Sequence, residues 1–288
     1  MIESSIKIAH ISDLHLAGRN DRRLLQYLDG MLEHFKKVKV DHLIISGDLT
    51  DTAEPKDWQI LKDRLIAHDL YEWQKVTVIA GNHDLINLEE EMRFYNVLNP
   101  LPGIRNRSFS GKVSRFCTMF SELIVSEDAS VAGFPFVKIL KVDGFSFALV
   151  AVNSVWPWHP ADNPLGARGC ISPSELRVLR IPDVVDVLRE SFVVGLCHHA
   201  YKVYSTESVI DQAFDWTMEL TNRNEYLEVL KLLGARIALH GHFHRFQSYR
   251  VDDISFFNGG SFKYSPERYS ELIVRCDGSF SQQFLNLA

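Results

Sequence analysis

The stretch Val76-Thr77-Val78-Ile79-Ala80-Gly81-Asn82-His83-Asp84 decides how this chain is read. A short run rich in Val and Ile, ended by Gly, predicts a strand buried on both faces. Gly and Asn tolerate left-handed backbone angles and suit a turn, yet the adjoining His-Asp pair has no turn role of its own. The same plan recurs four times. Ile6 to Ile11 leads to Asp13-Leu14-His15, His42 to Ser46 leads to Gly47-Asp48, Phe192 to Cys197 leads to His198-His199, and Ala235 to Leu239 leads to Gly241-His242-Phe243-His244. Ligands of open α/β sheets bind beyond the carboxyl ends of the strands. Residues just past five such strands are therefore expected to meet in one crevice, and those residues are Asp, His and Asn.

Helical spacing fills the gaps between the first strands. Leu24, Leu25, Leu28, Leu32 and Phe35 recur between Asp21 and Lys37 with Asp21 in a capping position; Trp58, Leu61, Leu65 and Ile66 mark a second helix, and Val113, Phe116, Cys117 and Phe120 a third. This alternation predicts crossover connections and a mainly parallel sheet. The second half opens with two β-rich runs, Phe134 to Val142 and Phe145 to Val152, joined by the turn pair Asp143-Gly144. Ser172-Pro173-Ser174-Glu175 predicts a helix start, with Ser172 as cap, Pro at the first helical position and Glu three residues after the cap. Asn222 to Glu225 reads as another start, for a helix that carries Leu227, Leu230, Leu232 and Leu233 and stops at Gly234. Hairpin signals at Asp252-Asp253 and Asp277-Gly278 predict antiparallel strands that complete a second sheet.

Length alone, 288 residues, suggests two domains, but the motifs run from Asp13 to His244 and argue for a single domain over 1–288. A hydrophobic content of 46% with 18 Phe is ample for a core, so disorder is not expected. The 37 acidic residues outnumber the 31 basic ones, for a formal charge of -6. The short clusters Arg22-Arg23, Lys36-Lys37-Val38-Lys39 and Arg105-Asn106-Arg107 read as solvated faces, so bulk binding to duplex nucleic acid is not expected. Cys117, Cys170, Cys197 and Cys276 are far apart and form no CxxC pair, which fits reduced thiols in a cytoplasmic protein. The opening residues do not read as a secretory leader, and no apolar run reaches the length of a membrane span.

Carboxylate, imidazole and amide oxygen suit divalent ions such as Mn, Fe, Zn or Co, whereas a structural zinc site would call for cysteine pairs. Two ions about 3.5 to 4 Å apart need a bridging anion, and Asp48 is the candidate. Each cluster taken singly is weak, since Asp-x-His and Gly-Asp occur in ordinary turns. The ordered set of five carries the inference.

That set resembles the calcineurin-like metallophosphoesterases, whose pattern is Asp-x-His, Gly-Asp, Gly-Asn-His-Asp/Glu, a lone His and Gly-His-x-His; every element is present between Asp13 and His244. The resemblance implies an α/β fold of two packed mixed β-sheets flanked by helices in four layers. It implies two divalent metal ions, one held by Asp13, His15 and His244 and the other by Asn82, His198 and His242, with Asp48 between them. It places His83 near the substrate phosphate and Asp84 behind its imidazole. A hydroxide bridging two such ions is a nucleophile at neutral pH, because coordination to one well-placed zinc lowers the pKa of water from about 15.7 to about 7. His83, if protonated, would stabilise developing charge or give a proton to the leaving alkoxide.

Other residues are read more plainly. Strand geometry sends His198 and His199 to opposite sides, and His198 is favoured as the ligand because it directly follows the apolar run. Many related phosphodiesterases have Pro after this pair, where this chain has Ala200. His10 reads as a core or supporting histidine, Cys197 as a buried small hydrophobe, and Asn153-Ser154 as structural support. Trp156-Pro157-Trp158-His159, with Arg168, reads either as a packed Pro-rich loop or as part of a substrate pocket.

Three functions follow. The first is a metal-dependent phosphodiesterase acting on a small phosphoester, a cyclic nucleotide among the options, since Gly-Asn-His-Asp and the compact length resemble class III cyclic nucleotide phosphodiesterases. The second keeps the chemistry with another substrate: a nucleotide pyrophosphatase, a phosphomonoesterase or a DNA exonuclease, the last set against by the acidic charge and the lack of a clear C-terminal extension. The third is a binding scaffold without catalysis, which would normally show eroded ligands. The sequence does not give the oligomeric state.

Overall fold

A computed structural model describes residues 4–18, 21–98, 102–126, 132–142, 144–202 and 217–287. Asp143 of the expected turn lies outside these residues, as do the side chains of Arg105 and Asn106. The first sheet has the order β11-β10-β1-β2-β3. It is built from β1 (Ser5–Ile11), β2 (His42–Ile45), β3 (Val76–Val78), β10 (Arg268–Arg275) and β11 (Phe280–Asn286). The second has the order β4-β5-β6-β7-β9-β8. Its strands are β4 (Phe136–Val142), β5 (Phe145–Ala151), β6 (Ser191–Leu196), β7 (Ala235–His240), β8 (Phe246–Val251) and β9 (Ile254–Gly259). Both sheets are mixed. β1, β2 and β3 run parallel, as do β5, β6, β7 and β9, while β10, β11, β4 and β8 pair antiparallel with their neighbours.

Period-two alternation explains the layering. On β5, Phe147, Leu149 and Ala151 enter the core between the sheets with Ile6, Ile8 and Leu43, while Ala148 and Val150 pack on the opposite side with Tyr226, Val229 and Leu230. Those three belong to a helix, Arg223–Leu232, that together with Pro173–Val178 covers the outer face of the second sheet. Helix α1 (Arg22–Lys37) buries Leu24, Leu25, Leu28, Met31, Leu32 and Phe35, the spacing expected of a one-sided helix, and Asp21 caps it by accepting the Leu24 N–H at 3.1 Å. A helix over Pro55–Ala67 buries Trp58, Leu61 and Leu65, and another, Pro102–Met119, carries buried Phe116 and Cys117.

The tail departs from expectation. Only β8 and β9 complete the second sheet; β10 and β11 cross to the first, where β10 pairs with β1 from Ser5↔Arg275 to His10↔Ser270. The crossing segment drives Phe262 into the inter-sheet core and ties to the first motif through Phe262 N–H to Ser12 O (2.9 Å) and Lys263 N–H to Asp13 O (3.2 Å). Among the described residues, no helix is long and apolar enough to cross a membrane.

Candidate metal centre

Asp13, Asp48, Asn82, His198 and His242 each lie two to four residues past the carboxyl end of β1, β2, β3, β6 and β7 respectively. Backbone hydrogen bonds continue between the strand ends and lock the turns together: Asp13 N–H to Gly47 O (3.0 Å), His15 N–H to Asp48 O (2.9 Å) and Gly241 N–H to His198 O (3.0 Å). Asp13, His15, Asp48, His242 and His244 all hold positive φ, from 47° to 71°. Non-glycine residues adopt that region at a cost, and such strain persists where surrounding structure enforces it, commonly at functional sites. Gly81 is required for a different reason. A Cβ there would collide with the backbone nitrogen and carboxylate of Asp48.

The chain brings together all seven expected ligand residues. Ligand atoms of Asp13, His15, Asp48 and His244 lie within 4.8 Å of one another, as do those of Asp48, His198 and His242, so Asp48 is common to both groups. Asn82 joins the second through Oδ1, 3.2 Å from His198 Nε2. Six of the seven are buried; His244 lies at the rim.

The imidazole protons test whether this constellation fits cations. His15 Nδ1 donates to Asp51 Oδ1 (3.0 Å) and His198 Nδ1 to Ser46 O (2.8 Å). In the neutral ring each therefore turns an Nε2 lone pair inward, 3.8 and 3.3 Å from Asp48 Oδ2, and His15 Nε2 stands 3.2 Å from His244 Nε2. Lone pairs crowded onto a carboxylate repel unless positive charge sits among them. A proton can serve in part: burial opposes a charge on His198, but Asp48 outweighs it and lifts the pKa to about 9. Burial likewise opposes the charge of Asp48, yet His198, His83 and His15 hold it well below the usual carboxylate range. Burial, then the neighbouring His199 and His198, keeps His242 neutral, the state in which imidazole binds metal. The residues fit two divalent ions sharing one carboxylate.

His83 and Asp84 are placed differently from one another. His83 is half-buried beside the centre, its ring centroid 4.8 Å from that of His15, and its backbone N–H binds Asp48 Oδ1 at 2.8 Å. Asp84 does not hold the His83 ring. It accepts from Leu49 N–H (3.1 Å), Thr50 N–H (3.0 Å), Thr50 Oγ1 (3.1 Å) and Gly81 N–H (2.8 Å), so it pins the turn that presents Asp48. Burial and the Asp48 charge push Asp84 up to about 6.

The residue beside His83 is Asp51, which sequence reasoning missed. Its carbonyl lies 3.3 Å from His83 Nδ1, and its carboxylate takes His15 Nδ1 on one oxygen and Lys263 Nζ (3.1 Å) on the other. A second acid three residues after Asp48, and a lysine 212 positions further on, gave no signal of their own because their link exists only in the folded chain.

On the opposite flank, His199 Nδ1 pairs with Ser154 Oγ (2.9 Å), and the same oxygen accepts the N–H groups of His198 and His199 at 3.1 Å each. Ser154 is thus the support expected of it. His10 is buried with Nε2 2.8 Å from Ser46 Oγ, and burial lowers its pKa to about 3. Cys197 is buried among apolar side chains. The Trp156 to Arg168 loop is held by contacts within it and by one with Glu219. Trp158 is buried, with Nε1 donating to Pro164 O; His159 lies 2.9 Å from Asp162, and Arg168 lies against the Trp156 ring and 2.9 Å from Glu219.

A family model described as calcineurin-like phosphoesterase matches residues 6–246. The chain belongs to this family. Among the solved structures similar to this calcineurin-like phosphoesterase are a dimetal phosphatase from Danio rerio (TM-score 0.56, 13% identity, 98% of this chain and 99% of that one) and the purple acid phosphatase PPD1 from Lupinus luteus (TM-score 0.56, 12% identity, 99% and 54%). At these identities the likeness is one of fold. A curated relative is a subunit of the SbcCD nuclease of Escherichia coli (strain K12), 32% identical over 95 residues, which are 31% of this chain and 24% of that protein's length. The family is one of two-metal hydrolases, and the His and Asp clusters described above suit that chemistry.

Proposed function

We propose that this calcineurin-like phosphoesterase hydrolyses a small phosphodiester at the centre around Asp48. Asp13, His15 and His244 would hold one divalent ion and Asn82, His198 and His242 the other, with Asp48 shared. The observation that carries this reading is the Asp48 carboxylate flanked by inward Nε2 atoms of His15 and His198. Bound divalent ions would supply a nucleophile from water at neutral pH and neutralise the phosphate oxygens. The chain's own residues then divide the remaining work. His15 and His198 are kept in one tautomer by Asp51 and Ser46, Asp84 holds the turn that presents Asp48, and His83 stands beside the centre at the rim. With Nδ1 committed to the Asp51 carbonyl, protonated His83 carries a transferable proton on Nε2 for the departing alkoxide.

Turnover of bis-p-nitrophenyl phosphate should exceed that of p-nitrophenyl phosphate with manganese; preference for the monoester overturns the diester reading. His83→Ala should retain two metals by elemental analysis and lose roughly 10²- to 10⁴-fold in turnover of diesters with poor leaving groups. Loss of the metals instead would move His83 into the ligand set. A second reading, a nuclease, draws support from the relative that forms part of a nuclease. The acidic balance alone is no ground for setting nucleic acid aside. Cleavage of an end-labelled single-stranded oligonucleotide in preference to 3′,5′- and 2′,3′-cyclic nucleotides would favour it.

A further inference from the structure

Beside His244 the surface opens into a groove of about 650 Å³, lined by Arg23, Tyr27, Lys263, Tyr264 and Arg268 among others. Two contacts tie its wall to the metal centre. The Tyr264 ring lies 5.4 Å from that of His244, and Lys263 joins the groove wall to Asp51 through its side chain and to Asp13 through its backbone. Tyr264 is 68% exposed, although most aromatic side chains among the described residues are packed away. Its exposed ring, in contact with His244, borders the metal centre on this side.

Basic residues outnumber acidic ones in the groove, with Arg23, Lys263 and Arg268 against Asp21 and Glu267. Arg268 lies over the rings of Phe246 and Phe284, its centre 4.5 and 5.7 Å from their centroids, contacts that leave its charge unneutralised. Arg23 is exposed and donates to Tyr27 Oη at 3.2 Å. Two acids also line the groove, Asp21, which caps α1, and Glu267, whose charge favours the Arg23 cation. An exposed aromatic face near two guanidinium groups matches a base with a phosphate attached, because every nucleobase offers a π face and every phosphate accepts charged N–H donors.

We propose that this groove is a substrate subsite, in which Tyr264 stacks on a nucleobase while Arg23 and Arg268 receive a second phosphate. The proposal rests on the phosphodiester reading above and names its substrate class: a nucleotide diester with a further phosphate, rather than a simple alkyl diester. Tyr264 sets specificity and takes no part in bond breaking.

The test compares two diesters that share one leaving group, methyl p-nitrophenyl phosphate and the p-nitrophenyl ester of thymidine 5′-monophosphate. The protein should favour the thymidine ester at least about tenfold in kcat/KM, the size expected of one base stacked on an aromatic side chain. Tyr264→Ala should bring that ratio close to one through KM, and Tyr264→Phe should restore it. Calorimetric titration with thymidine 3′,5′-bisphosphate, in manganese, gives a readout independent of turnover. Binding should weaken roughly tenfold in Tyr264→Ala, and in Arg23→Gln the salt dependence should shrink. An unchanged ester ratio and unchanged bisphosphate affinity in Tyr264→Ala overturn the subsite. Absence of turnover of both esters, with bisphosphate binding still dependent on Tyr264, overturns the phosphodiester reading and leaves the subsite standing.

Discussion

Asp51 occupies a place that metal-ligand arguments about residue type do not reach. Its carboxylate fixes the proton of His15 on Nδ1, which frees Nε2 for the centre, and Lys263 holds that carboxylate in turn. Groups that orient a metal-binding histidine typically contribute 10- to 100-fold in metal affinity. Asp51→Ala is therefore expected to weaken manganese binding by about that factor, measured by titration, while Asp51→Asn, which keeps a carbonyl acceptor for His15, should lose less. Equal loss in both variants would make the charge, not the tautomer, the cause. The candidate ligands themselves were legible in sequence because only a few side chains bind hard or borderline cations, and five clusters of them followed five apolar runs. Asp51 and Lys263 were not, since a polar residue in Thr50-Asp51-Thr52 reads as one more turn position. The Asp84 reading shows the same limit. Its neighbour in sequence, His83, is not the group it serves in space.

Helix Pro173–Val178 shows what local rules settle and what they leave open. Ser172 caps it by accepting the Ser174 N–H, with Pro173 at the first position, as the sequence predicted. Glu175 does not reach back to the cap. It turns to accept the Asn153 N–H at 2.9 Å, at the start of the segment that carries Ser154, and burial raises its pKa from 4.5 to about 7. The native state then binds a proton more tightly than the unfolded chain, so stability falls as pH rises from about 4.5 to about 7 and is level beyond. Glu175→Gln keeps an acceptor and removes the ionisation. Relative to the unaltered protein it should gain on the order of 3 kcal/mol between pH 4.5 and 7 in denaturant titrations. A stability difference that stays flat with pH would contradict the buried, protonated carboxyl. The tail hairpins teach a related lesson about elements. Asp252-Asp253 and Asp277-Gly278 located both turns, but β-rich runs of similar composition do not say which sheet they join; that depends on Phe262 entering the core and drawing the chain across.

Across the whole molecule, the last long strand but one lies against the first: β10 pairs with β1, and both sheets contribute to one inter-sheet core. A single cooperative folding unit is the expectation, with calorimetric and van't Hoff enthalpies in agreement. Phe147, fully buried between the sheets, reports on that core; Phe147→Ala should cost about 3 to 5 kcal/mol, measured by denaturant unfolding, without a separate transition for either sheet. The parallel strands were readable because runs buried on both faces look alike in any α/β protein, and the crevice at their carboxyl ends followed from topology. Substrate class was not, because fold and metal site serve many phosphoesters. Everything functional depends on two cations meeting at one carboxylate. Anomalous diffraction from crystals grown with manganese tests that most directly. Two peaks about 3.5 to 4 Å apart on either side of Asp48, one beside Asp13, His15 and His244 and the other beside Asn82, His198 and His242, are the predicted result. A single peak, or two that leave Asp48 out of contact, would contradict it.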